Sequence, residues 1–398
     1  MMFQSIYKYL FFIAIVGVLS AIFHGLGVLD ILPWHLAYSD VAPFYEQAVK
    51  PGIPYIDKTV EYPVLTGFFI HAMGMIGGSK MGYYVASSFF LILCAGITTF
   101  FLYRLAQERG YEKRLLWFWI FAPSMLVFMI YNWDVIAIMF VVAAFYCMQR
   151  QKDYAAASLL ALGFSAKFFP ILYLAPLILA RWRLSQTRFL VTQTVQSSNL
   201  SHATMPKTWF WTGQSLLLYT FLLASIFLIV VLVVNGIFMI ANFDAWSYFF
   251  TFNSARSANP DSIWTVAQYL FGIFDISTIN TLSLILFAVS YGIFLWFFRK
   301  KDFVFLSFGA TLLFLLFNKV FSPQYLLWLL PFFVLLPVKK YWFYPLEFAN
   351  LAALFSILAW FFLADENIYL YLTMYFVTLR HLALLSVFTH LVLSAKNG

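Results

Sequence analysis

Residues 62–114 read YPVLTGFFIHAMGMIGGSKMGYYVASSFFLILCAGITTFFLYRLAQERGYEKR, and the way this stretch lies decides the fold. It holds two apolar runs, 62–78 and 82–103, and the second is followed by Arg104, Arg109, Lys113 and Arg114. A helix needs about 20 apolar residues to cross a bilayer. The first run falls short of that and is dotted with Pro63, His71 and several glycines. If it crossed, those four cations would face outward, against the bias that keeps Lys and Arg on the cytoplasmic side. The run is therefore expected to lie along the outer interface as an amphipathic or re-entrant segment, with 82–103 returning to the cytoplasm.

Upstream, Lys8 sets the N-terminus inside, and 9–29 run outward into a first outer loop, 30–81. Residues 1–29 have the opening of a signal peptide, but the apolar run outlasts the usual h-region of about 7–15 residues. They read as a retained span. Downstream, the expected crossings are 115–131, 135–149, 154–166, 168–180, 214–240, 279–298, 303–317, 324–338, 343–363 and a last segment ending inside at Lys396. Residues 181–213 form a basic, Ser/Thr-rich cytoplasmic loop, and 241–278 a second long outer loop. Beginning the last span near His381 would leave Arg380 at the outer surface, which costs less than burying it. The fold class is thus an all-α polytopic membrane protein: one integral-membrane domain over residues 1–398, about 12 crossings, both termini cytoplasmic.

Composition agrees. The chain is 63% hydrophobic and 10% charged, where a soluble domain carries about 25% charged residues. Of its 24 Lys and Arg, seven (Lys50, Lys58, Lys80, Lys167, Arg256, Lys319, Arg380) face outward on this topology, which leaves 17 inside. The net charge of +8 therefore reads as orientation in the bilayer and not as a nucleic-acid surface. Cys94 and Cys147 both fall within apolar spans, so neither a disulfide framework nor a metal site is indicated. There is no Walker loop, dinucleotide fingerprint, HExxH or Cys/His cluster, and no cofactor is expected.

The unusual residues gather on the outer side. The first loop includes YSDVAPFYEQAVKPGIPYIDKTVEYP, residues 38–63, with Asp40, Glu46, Asp57 and Glu61 among Tyr, Pro and Gly. Most outer carboxylates, including Asp57, Asp275, Asp365 and Glu366, read as solvated loop residues. Asp40 differs, because it lies between Tyr38 and the Phe44–Tyr45 pair in a segment able to fold back on the bundle. Partial desolvation there would raise its pKa toward that of a general base. Glu61 and Asp134 lie at outer ends of apolar segments, and Asp134 fits an N-cap equally well.

Among the cations, Lys167 in SAKFFP and Lys319 in FNKVFSPQ share a pattern: Lys, aromatics, a Pro three or four residues on, then a Leu-rich run. Each Lys alone is explained by snorkelling. Together, with Arg256 and Arg380, they could cradle a phosphate. Trp34, Trp133, Trp264 and Trp328 read first as interfacial anchors. A carboxylate beside a cationic phosphate site at a membrane surface suits attack of a hydroxyl on a sugar carried by a lipid phosphate. The carboxylate takes the proton and the cations hold the leaving phosphate.

These residues resemble the GT-C class of membrane glycosyltransferases, most closely the polyprenol-phosphate-mannose-dependent members of glycosyltransferase family 87. The resemblance rests on Ser39-Asp40, PFYEQAVKPGIPY at 43–55, EYPVL at 61–65, NWD at 132–134, AKFFPILYLAPL at 166–177 and NKVFSPQYLLWLLP at 318–331. It runs in order from residue 1 to about 338. One departure is the single proline of EYPVL, where the family often has two. The resemblance implies interfacial helices in the first outer loop, a catalytic Asp40, a polyprenyl-phosphate-linked sugar donor, and inverting, nucleotide-free transfer to a lipid or glycan acceptor. It points to the outer face of a plasma membrane. Within these segments Tyr45, Glu61, Tyr62, Asp134 and Gln324 are candidates for acceptor or sugar binding and Lys167 and Lys319 for the donor phosphate, with Arg256 and Arg380, outside them, as possible additions to the phosphate site. Two competing readings are a transporter or flippase of a lipid-linked saccharide, which would show mid-bilayer charges and repeated halves, and a structural scaffold, which leaves the acidic loop unexplained.

Overall fold

A computed structural model describes residues 2–182, 213–272, 275–336, 340–363 and 366–396. Apolar runs of this composition become helices because backbone polar groups removed from water must be satisfied within the segment. In chain order, α1 (Met2–Val28) leads into the first loop, which carries α2 (Trp34–Ala37), α3 (Tyr45–Val49) and α4 (Val64–Gly77) before α5 (Lys80–Glu108). Then come α6 (Trp117–Ile120), α7 (Pro123–Phe128), α8 (Asp134–Gln149) and α9 (Asp153–Ala166). The apolar α10 (Phe169–Trp182) opens with a 3₁₀ turn. The second half holds α11 (Gly213–Ala241), α12 (Phe243–Ala255), α13 (Ile263–Phe271), α14 (Ile276–Phe298) and α15 (Phe303–Phe317). It continues with α16 (Pro323–Leu335), α17 (Lys340–Phe362) and α18 (Glu366–Lys396). The described residues contain no strand.

This is an α-helical polytopic membrane protein, and among the described residues six helices are long and apolar enough to cross by length and composition: α1, α5, α11, α14, α17 and α18. The other expected crossings are short or broken. At a rise of about 1.5 Å per residue, the 16 residues of α8 span about 24 Å, less than a bilayer core of about 30 Å. The expected span at 115–131 breaks before Pro123, which opens α7 where an N–H is not needed. Pro170 and Pro323 likewise begin 3₁₀ turns. The loop expected at 181–213 lies almost wholly outside the described residues. Within residues 241–278, expected as the second long outer loop, α12 and α13 occupy most of the length. The last segment begins well before His381, which puts Arg380 in the middle of α18, fully buried.

The short helices still run between two chemically distinct ends. At one end ion pairs join Arg109 to Asp302 (3.0 Å), Arg150 to Glu108 (2.6 Å) and Arg181 to Asp153. Lys8 lies over Trp117 at the same end. The opposite end holds the start of α8, the end of α9 and the first loop. The loop folds back on the bundle because its polar groups are taken up there. Ser39 donates to the Ile130 carbonyl (2.8 Å), and the Asp40 amide to that of Tyr131 (2.9 Å). Lys58, expected to face outward, is buried and caps the last carbonyls of α3. At 14 residues α4 is too short to cross, as 62–78 was expected to be, and it packs against α3, α5 and α9.

Candidate active site

The first loop, the turn before α8 and the segments after α9, α12 and α15 enclose a cavity of about 870 Å³. Asp40 lines it. Its Oδ1 accepts from the Tyr38 hydroxyl (2.8 Å) and its Oδ2 from Asn132 Nδ2 (2.7 Å). The same Nδ2 donates to the Tyr62 hydroxyl (3.0 Å). Burial raises the Asp40 pKa above the ordinary carboxylate range, as does the nearby Asp134 charge; the two hydrogen bonds and Lys167 oppose the rise. The result is a more basic carboxylate with both oxygens oriented. Glu61 also lines the cavity and is raised by burial and by Asp40, against the pull of Arg256.

Lys167 joins this group from the end of α9. Its ammonium donates to Asp134 Oδ2 (3.2 Å) and Asn132 Oδ1 (3.3 Å), and lies over the rings of Tyr62 (5.3 Å) and Tyr325 (5.5 Å). Asp134 itself is fully buried and does not line the cavity. Its Oδ1 accepts from Trp328 Nε1 (2.7 Å), and its side chain makes no N-cap bond to α8. Neither expected role for Asp134 is found. It anchors Lys167 and Trp328 instead. That also corrects the anchor reading of the tryptophans, because Trp133, Trp264 and Trp328 are buried. Trp328 is sandwiched between Phe169 and Tyr325, each at 4.1 Å.

The cationic side is built from α12 and α15. Lys319 is buried, and its ammonium donates to the carbonyls of Arg256 (2.7 Å) and Ser254 (3.1 Å) at the end of α12. Burial and the Arg256 charge lower its pKa. The Arg256 guanidinium donates to Asn259 Oδ1 (2.6 Å). Among the described residues it has no carboxylate within ion-pair distance. Lys167 and Lys319 sit alike: each lies at or just past the end of a helix, precedes a 3₁₀ turn with proline in its first two positions, and lines this one cavity. A third wall is apolar, formed by Leu284 of α14 and Leu354, Ile357, Leu358, Phe361 and Phe362 of α17.

Of the expected site residues, Asp40, Glu61, Tyr62, Lys167, Arg256, Lys319 and Gln324 meet at the cavity. Tyr45 does not, for its hydroxyl donates to the Gly78 carbonyl (3.3 Å) and its ring lies by Tyr83. Arg380 does not either. It is buried behind the wall, with its guanidinium on the Asp261 carbonyl and on Asn350 Oδ1 (3.1 Å), over the Phe321 ring. Residues not anticipated are Tyr38, Asn132, Tyr325 and Asp261. Burial pushes the Asp261 carboxyl up to about 6 against the pull of Arg380. Tyr38 and Asn132 were readable as neighbours of named positions. Asp261, in the turn-like Asn259-Pro260-Asp261, looked solvated. No model of a known protein family matches the chain, and no curated protein matches it.

Proposed function

We propose that the protein is a membrane glycosyltransferase. It moves a hexose, with mannose the first candidate, from a polyprenyl-phosphate carrier to a hydroxyl of a lipid or glycan acceptor on the outer face of the cell membrane. The observation that carries this reading is the make-up of one cavity: a desolvated, oriented carboxylate (Asp40), a guanidinium with no carboxylate in ion-pair reach among the described residues (Arg256), and an apolar wall suited to a lipid chain.

Asp40 takes the proton of the acceptor hydroxyl as its oxygen attacks the anomeric carbon from the face opposite the phosphate. The bond from that carbon to the phosphate oxygen breaks, and the lipid phosphate leaves as an anion toward Arg256 and the remaining N–H of Lys319. One bond forms and one breaks on opposite faces, so configuration inverts. The phosphate leaves without an acid, so a single base suffices.

The test is transfer by the protein in lipid from radiolabelled polyprenyl-phosphate mannose to a membrane-lipid acceptor extract. Asp40→Asn is expected to lose about 100- to 10,000-fold of the rate while still binding donor. Equal transfer by both proteins sinks Asp40 as the base. Donor moved across the bilayer but never transferred would favour a flippase.

A further inference from the structure

Besides the carboxylate of Asp40, the cavity is lined by polar groups that the transfer chemistry does not use. Asp261 and Gln324 are 4% and 5% exposed, and both line the cavity. Asp261 Oδ1 and Gln324 Oε1 are enclosed without a hydrogen-bond partner among the described residues. A buried acceptor left unpaired costs about 1–3 kcal/mol, and such groups are rare enough in folded proteins to need a reason. Here the two occur on one wall of one cavity.

That wall is deliberately braced. The Arg380 guanidinium holds the Asp261 carbonyl and lies 3.4 Å from that of Phe321, while its other arm donates to Asn350 Oδ1. Asn350 Nδ2 in turn donates to the Pro323 carbonyl (2.9 Å), the residue before Gln324. One buried cation thus staples the loop of Asp261 to the turn of Gln324 through their backbones, and leaves Asp261 Oδ1 and Gln324 Oε1 unspent. The terminal torsions of both side chains are soft and roughly two-fold, so either oxygen of Asp261 can turn to meet a ligand.

What would bind there follows from charge and valence. A carboxylate and an amide oxygen accept hydrogen bonds and repel phosphate. A metal or ammonium ion is disfavoured by the nearby positive charges of Arg380, Arg256 and Lys319. A neutral donor remains, and a pair of acceptors on one wall suits adjacent hydroxyls. We infer that Asp261 and Gln324, braced by Arg380, form the subsite that reads the hydroxyl groups of the sugar carried on the lipid phosphate. They therefore set which sugar the protein accepts. The inference rests on the cavity being a sugar-lipid site, but it concerns recognition and not the transfer step.

It is tested by binding to the full chain in lipid nanodiscs. The probes are one polyprenyl phosphate, bare or carrying mannose, glucose, galactose or arabinose, each radiolabelled, and the readout is equilibrium binding of each. Wild type is expected to prefer at least one sugar-bearing probe over the bare lipid by about 10- to 100-fold, the range of a hydrogen bond to a charged group. Asp261→Asn and Gln324→Met should each lose most of that preference while keeping affinity for the bare probe. Arg380 holds the backbone of Asp261 and not its carboxylate, so the brace survives both changes. If Asp261→Asn does not fold, Gln324→Met alone decides. Equal binding of all five probes by wild type overturns the inference, as does an undiminished preference in the variants or an equal loss of bare lipid. The two readings fail separately. Sugar preference without any transfer would sink the transferase and keep the subsite, whereas transfer with an unaltered preference in both variants would sink the subsite alone.

Discussion

At Asp40 the local chemistry makes a pH prediction. Its carboxyl is raised by burial and held down by the Tyr38 and Asn132 hydrogen bonds, which favour the charged form. As the proposed base, Asp40 must work ionised, so the rate of the proposed transfer should fall as pH drops through this raised pKa. The acid limb of kcat/KM should therefore lie above the ordinary Asp value of about 3.9. Tyr38→Phe removes one bond to the anion and should move that limb further up, with most of the rate recovered at high pH. A limb that stayed put, or moved down, would mean that another group governs it. Asp40 was legible because its setting among aromatics in a polar loop is a local pattern. Its partner Asn132 lies 92 residues away in sequence, and nothing local marks that pairing.

Among the elements, the ties that hold α8, α9 and α16 together run through one buried ion pair. Lys167 neutralises Asp134, and Asp134 also takes the Trp328 N–H. Lys167→Met leaves Asp134 buried and unpaired, and should cost about 3–5 kcal/mol of stability. Adding Asp134→Asn to that variant should recover much of the loss, because the charge itself is then gone. Thermal unfolding of the single and double variants in lipid checks this; a double variant no better than Lys167→Met would show that the ion pair is not the source. The first loop has its own pivot. Tyr55, with φ of +65°, donates from its hydroxyl to the Tyr62 carbonyl (2.8 Å) beside Glu61. A methyl at Gly67 would run into that hydroxyl. Gly67→Ala should therefore shift Glu61 and Tyr62 and lower transfer about tenfold or more, given how steeply rates depend on ångström-scale placement. Normal transfer by a folded Gly67→Ala would show that the pivot does not set the site. The mirrored Lys-Pro pattern at 167 and 319 was visible in the sequence because proline fixes where a helix begins. The buried role of Asp134 was not, since an Asp at a helix start is more often a cap.

For the whole molecule, the long apolar runs were legible because about 20 residues of that composition have few alternatives to a spanning helix. The short helices were not separable from full crossings, since α8 and α15 are apolar yet hold only 16 and 15 residues. Arg380 was misplaced for a related reason. A charge inside a span is costly, but carbonyls of distant loops meet it in the fold. What the structure supplies is the separation of two ends. Glu112 and Arg114 stand exposed beyond α5, near the end held by Arg109, Arg150 and Arg181. Lys50 stands exposed beyond α3, at the cavity end. The bias of Lys and Arg predicts that the first of these ends is cytoplasmic. In a background with Cys94 and Cys147 replaced by Ala, Lys50→Cys should react with a membrane-impermeant maleimide on intact cells. Arg114→Cys should react only after permeabilisation. The opposite pattern would put the cavity on the cytoplasmic side, and with it any donor and acceptor. Labelling of both from outside would break the alternation of the chain between the two ends. The outcome bears on the chemistry as much as on orientation, because a cavity on the outer face meets carrier lipids that present their sugars there and no cytoplasmic pool of nucleotide sugars.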